Sequence, residues 1–480
     1  MRRRTFVELS AAAAAFGAFA VPVSAQDTAA SLDAISVADL RFGFTPLPLP
    51  KPGYDPAGDA KALFLPGTPS PAKMPVSGYQ YTGSYAANER FVVRVPDRWN
   101  GNLIVAGTPA TRSEYANDFI WGELALARGY AFASSNKGIP YNAIAESAEQ
   151  SLDRTTAYPI PFDAGGLASK HLTLRFGMLN PAKVGIAAWN DDYATLVEHT
   201  RMLLTHHHRK PKRVYAVGLS NGGAQVRSLL ERHPDLVDGG VEWSGVYWSP
   251  QRSLLDQLPH FLHDMPAYVA STFNDPAIAA RLEAAGFPAD VHQADPAHPS
   301  LYGEYYSNVA PFYADLTVFA YALLIDPAAH STFDAQDGEP NPNPRLPGTI
   351  HGTGLGLPAA RAAYVPSQAA RDAIGAFAHT GAIGKPLVSI AGTRDAFITP
   401  SLHAVGYAQA VAAAKASALH RLFLVDGGTH VDTFAAFGYG LRAQAPFAWA
   451  AFEKLVRIVE HGETTGAGET HTVTTPAEIR

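Results

Sequence analysis

Apolar residues along this chain fall into two alternating rhythms. Short continuous runs, such as Leu103-Ile104-Val105-Ala106-Gly107, Tyr130-Ala131-Phe132-Ala133 and Val214-Tyr215-Ala216-Val217-Gly218-Leu219, read as strands buried on both faces. Between them, apolar positions recur at helical spacing. The segment from Phe119 to Ala127 reads as a helix, and Tyr193, Leu196, Val197, Leu203 and Leu204 mark one face of another. Gly240-Val241-Glu242-Trp243 supplies a further strand. This alternation predicts an α/β fold, a doubly wound and mostly parallel sheet with helices on both faces. Ahead of it, Tyr79 to Tyr85 and Phe91 to Val95 predict the first strands, split by a polar turn.

The rhythm breaks between Val246 and Gly384, a stretch dense in proline, glycine and aromatics that includes Tyr302, Tyr305, Tyr306, Phe312, Tyr313, Phe319 and Tyr321. It resumes at Pro386-Leu387-Val388-Ser389-Ile390-Ala391 and Leu422-Phe423-Leu424-Val425, and closes with a helix carrying Trp449, Phe452, Val456 and Val459. The expected organisation is therefore a sheet core over 77–245 and 385–462, with 246–384 inserted between two of its strands as a cap. The cap's aromatics serve either as a substrate pocket or as its own small core. Residues 26–76, with Leu47-Pro48-Leu49-Pro50-Lys51-Pro52, are expected to lie as an extended arm over the body, and the threonine-rich stretch 463–480 as a loose tail.

The strand ending at Leu219 runs directly into Gly218-Leu219-Ser220-Asn221-Gly222, a Gly-x-Ser-x-Gly pattern. A helix follows, with Val226, Leu229 and Leu230 on its apolar face and Pro234 just beyond its end. The bare pattern also suits a glycine-rich loop opening an ordinary helix. Set between a buried strand and an amphipathic helix, it lifts the serine above the sheet edge, and Ser220 becomes a candidate nucleophile.

A serine hydroxyl needs an imidazole to take its proton and a carboxylate to hold that imidazole's tautomer. Two later strands end in such groups. Gly392-Thr393-Arg394-Asp395 follows one and offers Asp395; Gly427-Gly428-Thr429-His430 follows the next and offers His430. Each has an ordinary alternative, Asp395 as a helix cap or partner of Arg394 and His430 as a loop histidine. Glu242 and Asp426 are rival acids, and His351 and His379 rival bases. The oxyanion calls for two backbone N–H donors. Asn221 supplies one, and the loop Gly107-Thr108-Pro109-Ala110 the other; Pro109 has no N–H, so Thr108 is the expected donor.

Composition narrows the field. The chain has 480 residues, 47% of them hydrophobic, a formal charge of −6 and no cysteine. That balance gives no reason to expect nucleic acid or an anionic membrane as partner, and it excludes thiol nucleophiles and thiolate metal sites. Stability has to come from the core, without disulfides. His206-His207-His208 cannot readily share one ion, because adjacent helical positions diverge, and Asp334, Asp337 and Glu339 lack calcium-loop spacing. No nucleotide-binding glycine motif is present, so no metal and no cofactor is expected.

At the N-terminus, Arg2-Arg3-Arg4-Thr5-Phe6-Val7, an apolar run from Ala11 to Val21 and Val23-Ser24-Ala25 form a signal-peptide pattern over 1–25, of twin-arginine type. The run is short for a membrane span, which needs about 20 apolar residues. Export to the periplasm or the medium is expected.

Taken together, residues 80–460 resemble the α/β-hydrolase superfamily, with Ser220, Asp395 and His430 matching its triad in chain order. Gly101-Asn102-Leu103-Ile104-Val105-Ala106-Gly107, the segment from Gly129 to Gly138 and Ser220-Asn221-Gly222-Gly223 are similar to secreted esterases around the tannase/feruloyl esterase and 3-hydroxybutyrate-oligomer hydrolase families. The resemblance implies a serine esterase acting on a small-molecule or oligomeric ester: an aromatic ester, a hydroxyalkanoate oligomer or a lactone. Tannase-type enzymes carry disulfide-linked cysteines beside the serine and histidine; here those neighbours are Leu219 and Val431. A serine peptidase, or a non-catalytic binding protein, is the alternative on the same fold. Oligomeric state is not encoded in any of these signals.

Overall fold

The computed structural model describes residues 31–49, 54, 56–61, 65, 67–86, 89–110, 112–138, 155–162, 170–177, 185–271, 274–288, 317, 321–329, 335–336, 339–340, 364–438, 440–466 and 468–479. Ten strands form one sheet: β1 (Ser31–Val37), β2 (Gly78–Ala86), β3 (Glu89–Pro96), β4 (Asn102–Gly107), β5 (Ala131–Ser135), β6 (Arg213–Leu219), β7 (Gly239–Trp243), β8 (Leu387–Gly392), β9 (His420–Val425) and β10 (Thr470–Val473). Their spatial order is β1-β2-β3-β5-β4-β6-β7-β8-β9-β10. From β5 to β10 every neighbouring pair is parallel, while β1, β2 and β3 pair antiparallel. The expected doubly wound, mostly parallel α/β sheet is what forms.

Alternation along each strand divides the core in two. On β4, Ile104 and Ala106 face one side with Tyr215, Val217 and Trp243 and with Phe452 and Leu455 of the helix Ala445–His461. Leu103 and Val105 face the other, with Leu196 and Val197 of α1 (Ile186–His207) and Val226, Leu229 and Leu230 of α2 (Asn221–Arg232). The strands are apolar almost throughout because both faces are covered.

Chain order reverses beside β4. From β4 the chain steps outward to β5, then returns across β4 to add β6 on its other side. In open α/β sheets, such a switch point opens a crevice beyond the carboxyl ends of the strands. The loop after β4 and the turn after β6 therefore meet there.

Both ends of the chain differ from expectation. The arm supplies an edge strand, β1, paired in continuous register with β2. Most of β1 is exposed, so main-chain pairing holds it and no apolar pattern announces it. A short helix, Pro56–Lys61, ties the arm to the body: Asp59 and Arg112 form a buried ion pair at 2.9 Å, and Tyr54 donates to Glu114 at 2.7 Å. The tail supplies β10, with Val473 and Ile479 buried in the first core.

Described parts of 246–384 include the short helices Leu254–Gln257, Met265–Ala270 and Pro276–Ala284 and the longer Gln368–Phe377. Leu254, Leu258, Phe261 and Phe377 join the same apolar cluster as Trp243. Tyr321 is core, edge-on to Trp248 at 5.4 Å. The other six aromatics named above, His351 and the leader 1–25 lie outside the described residues. Among the described residues no helix is long and apolar enough to cross a membrane.

Candidate active site

Ser220 stands between β6 and α2 with φ 60° and ψ −119°, in the left-handed region that non-glycine residues avoid. Such a conformation costs about 1–3 kcal/mol and persists only where its surroundings enforce it. Here the Ser220 N–H donates to the Trp243 carbonyl at 2.9 Å, and the Ser220 carbonyl accepts from Val246 and Ala224 at 3.2 and 3.0 Å. The motif's glycines have a steric origin. A Cβ on Gly218 would lie 2.2 Å from the Gly222 carbonyl carbon, and one on Gly222 would lie 2.1 Å from the Gly107 oxygen. β4, β6 and the first turn of α2 touch through backbone alone.

Asp395 and His430 are brought together. His430 Nδ1 and Asp395 Oδ2 are 2.8 Å apart, both side chains buried. The other carboxylate oxygen accepts the N–H groups of Phe397 and Ile398 at 2.9 and 2.8 Å. The carboxylate is thus locked, and with Nδ1 donating to it the neutral imidazole keeps its lone pair on Nε2. Phe397 packs edge-on against the imidazole at 5.3 Å. The two supporting loops are tightly joined: Arg394 N–H donates to the Gly428 carbonyl at 2.9 Å, and a Cβ on Gly392 would meet that oxygen at 2.2 Å. Because β6, β7, β8 and β9 are parallel, Ser220, Asp395 and His430 all follow strand ends on one rim.

The rivals have other work. Glu242 Oε1 accepts from Arg227 at 2.6 Å and Oε2 from the Gly245 N–H at 2.7 Å, in a fully buried pair. The Arg227 guanidinium also lies 4.1 Å over the Tyr407 ring. This pair props the loop after β7 against the elbow, where a Cβ on Gly223 would lie 2.7 Å from the Gly245 Cα. His379 has both nitrogens engaged, Nδ1 by the Trp248 N–H at 3.2 Å and Nε2 by the Ala224 carbonyl at 3.0 Å. Burial pushes it down to about 4. Asp426 does not hold His430, whose Nδ1 is taken by Asp395.

Asn221 is the first residue of α2, so its N–H has no intrahelical acceptor, and no partner is found for it among the described residues. Thr108 differs from expectation. Its N–H donates to Gln225 Oε1 at 3.0 Å, its carbonyl accepts from Lys137 Nζ at 2.6 Å, and its hydroxyl donates to the Ser135 carbonyl. Gln225 is anchored in turn on the Trp189 carbonyl at 2.6 Å. Every polar group of Thr108 is committed to the scaffold, and its N–H is not a free oxyanion donor. Sequence reasoning missed Gln225 because a polar residue near the start of an amphipathic helix carries no signal of a partner in a distant loop. His206, His207 and His208 are drawn into aromatic contacts, His208 Nε2 lying 2.9 Å from the Tyr81 hydroxyl.

No protein-family model matches this chain, and no curated protein matches it. Among solved structures it is similar to feruloyl esterase B from Aspergillus oryzae, at 14% identity and TM-score 0.46 over 92% of this chain and 89% of that one. It is also similar to the rice cell wall degrading esterase LipA from Xanthomonas oryzae, at 15% identity and TM-score 0.41 over 81% and 92%. Tannin acyl hydrolase from Aspergillus niger matches at 12% identity and TM-score 0.41 over 82% and 81%. Likenesses this distant say nothing of substrate; the chemistry rests on the geometry of the rim.

Proposed function

We propose that this chain is an exported serine hydrolase that cleaves carboxylic esters through an acyl-enzyme. The observation that carries the reading is the strained Ser220 on the strand-to-helix turn, on the same rim as a buried His430–Asp395 pair. His430 Nε2 takes the Ser220 proton as Oγ attacks the ester carbonyl. Asn221 N–H and a second donor from the loop after β4 hold the oxyanion. Collapse expels the alcohol, protonated by His430, and leaves Ser220 acylated. Water enters through the same base, the acid departs and Ser220 regains its proton, with Asp395 holding the imidazole throughout. No metal or cofactor takes part in these steps. An aromatic ester, a hydroxyalkanoate oligomer or a lactone is the proposed substrate, with the segment 246–384 shaping its site, and Arg2-Arg3-Arg4 with the apolar run after it supports export.

An active-site-directed fluorophosphonate tests the nucleophile. Labelling of the purified protein is expected, and Ser220→Ala should abolish it together with p-nitrophenyl ester turnover, a loss of about 10⁴-fold or more. Labelling that survives in the variant overturns the assignment. A folded protein that never labels points to a binding module, and faster cleavage of p-nitroanilides than of p-nitrophenyl esters points to a peptidase. Mass spectrometry of products from aryl esters, hydroxybutyrate oligomers and lactones identifies the acyl group.

A further inference from the structure

Five non-glycine residues among those described have left-handed backbone: Ala110, Lys137, Ser220, Ser244 and Lys415. Four of them follow the carboxyl ends of adjacent strands, Ala110 after β4, Lys137 after β5, Ser220 after β6 and Ser244 after β7. Strain is concentrated on the rim that carries the nucleophile, where the surrounding structure has to enforce it.

Two of these strained residues are joined. Lys137 is buried, at 2% exposure, and its side-chain amine reaches back to the loop after β4. Nζ donates to the Thr108 carbonyl at 2.6 Å and to the Ala110 carbonyl, and lies 4.6 Å from the centre of the Trp189 ring. Burying an amine is costly unless its donors are used. This one is spent on the carbonyls of Thr108 and Ala110, which lie on either side of the Pro109–Ala110 peptide unit.

The same loop is short of an oxyanion donor. The Thr108 N–H is taken by Gln225 and Pro109 has none, so Ala110 is the next residue able to donate. The Ala110 N–H has no partner among the described residues, its φ is 38°, and its carbonyl is drawn to Lys137. The loop starts beside the elbow, since a Cβ on Gly222 would lie 3.2 Å from the Thr108 nitrogen. With the carbonyls of the units before and after it held and the φ of Pro109 set by its ring, the Pro109–Ala110 unit has little freedom to turn its N–H.

We propose that Lys137 is a positioning residue which, through the Thr108 and Ala110 carbonyls, holds the Ala110 N–H as the second oxyanion donor to the tetrahedral intermediate on Ser220. This rests on the serine hydrolase reading above. Lys137 touches no reacting atom; it acts through the loop.

The test compares wild type, Lys137→Met and Lys137→Gln on p-nitrophenyl acetate, with active sites counted by fluorophosphonate so that an unfolded fraction drops out. Both variants should lose about 100-fold in kcat per labelled site, as for a donor displaced by about an ångström, while KM stays nearly constant. A trifluoromethyl ketone, which forms a tetrahedral adduct with the serine, should weaken by the same factor. A variant that loses labelled sites but keeps wild-type kcat at each makes Lys137 structural only and overturns the proposal. Should both variants fail to fold, the wild-type adduct decides by crystallography: its oxyanion within hydrogen-bond distance of the Ala110 and Asn221 nitrogens supports the proposal, and an oxyanion held by any other second donor overturns it. Wild type that labels while the Lys137 variants keep kcat removes this inference and leaves the hydrolase reading standing; wild type that neither labels nor turns over esters removes both.

Discussion

The end of β7 and the loop after β8 each carry a fully buried carboxylate near the same rim, Glu242 within the strand and Asp395 beyond it, and the two are used in opposite ways. Glu242 has one oxygen on a guanidinium and the other on a loop N–H, in a pair whose two side chains are wholly out of water. Both oxygens are spent on the scaffold, and the work of the pair is to hold the Gly245 loop against the elbow. Asp395 has one oxygen on two backbone N–H groups and the other on an imidazole. That carboxylate therefore fixes the orientation of a ring whose other nitrogen is left for chemistry, as a general base requires. Burial alone did not separate a scaffold acid from a candidate catalytic one; the chemistry of the partner did.

Substitutions should separate them cleanly. The largest effect falls on the second pair: Asp395→Asn should cut kcat for p-nitrophenyl esters by about 10⁴-fold, the cost of a wrong imidazole tautomer, with far less change in the unfolding midpoint. The first pair should show the reverse. Glu242→Gln strands the Arg227 charge in the core and should cost about 3–5 kcal/mol in urea unfolding, while kcat per labelled site changes much less than in Asp395→Asn. Replacing both partners by apolar residues, Arg227→Met with Glu242→Leu, should recover most of that stability. A Glu242→Gln protein of normal stability and dead active sites would invert the comparison.

The histidines extend it. His379 is buried with both nitrogens committed and is pushed down to about 4, so in the folded protein it stays neutral where the unfolded chain would bind a proton. Between about pH 6.5 and 4 the unfolded state holds the extra proton, and stability from this residue falls as pH falls through that window. The stability difference between wild type and His379→Gln should therefore shift against wild type by up to about 3 kcal/mol from pH 7 to pH 4, read from urea midpoints. A gap independent of pH would mean that His379 is not held neutral. The smallest effect belongs to the chain's end: Val473→Ala in β10 should cost about 1 kcal/mol without touching kcat, whereas a loose tail would show no cost at all.

Legibility followed the range of the interaction. β4, β5, β6, β8 and β9 were readable because strands covered on both faces are apolar throughout, and the helix after Ser220 was readable from three apolar positions in one register. The acid and base were readable because each directly follows such a strand. β1 escaped because its pairing is main-chain hydrogen bonding along a mostly exposed edge, and β10 because only Val473 of its four residues is buried. Thr108 was misassigned for a related reason. Its acceptor, Gln225, lies 117 residues along the chain, and no local pattern announces such a partner.

By itself, then, the order of residues determined the alternation of strand and helix, the sharp glycine-flanked turn at Ser220 and the succession Ser220, Asp395, His430, because periodicity and steric need are written in neighbouring residues. Tertiary structure alone decided that Asp395 and not Glu242 or Asp426 meets His430, that Thr108 spends its N–H on Gln225, and that a lysine from the loop after β5 grips the loop after β4. Those are choices among chemically equivalent groups, and only the packing of distant segments sets which donor reaches which acceptor.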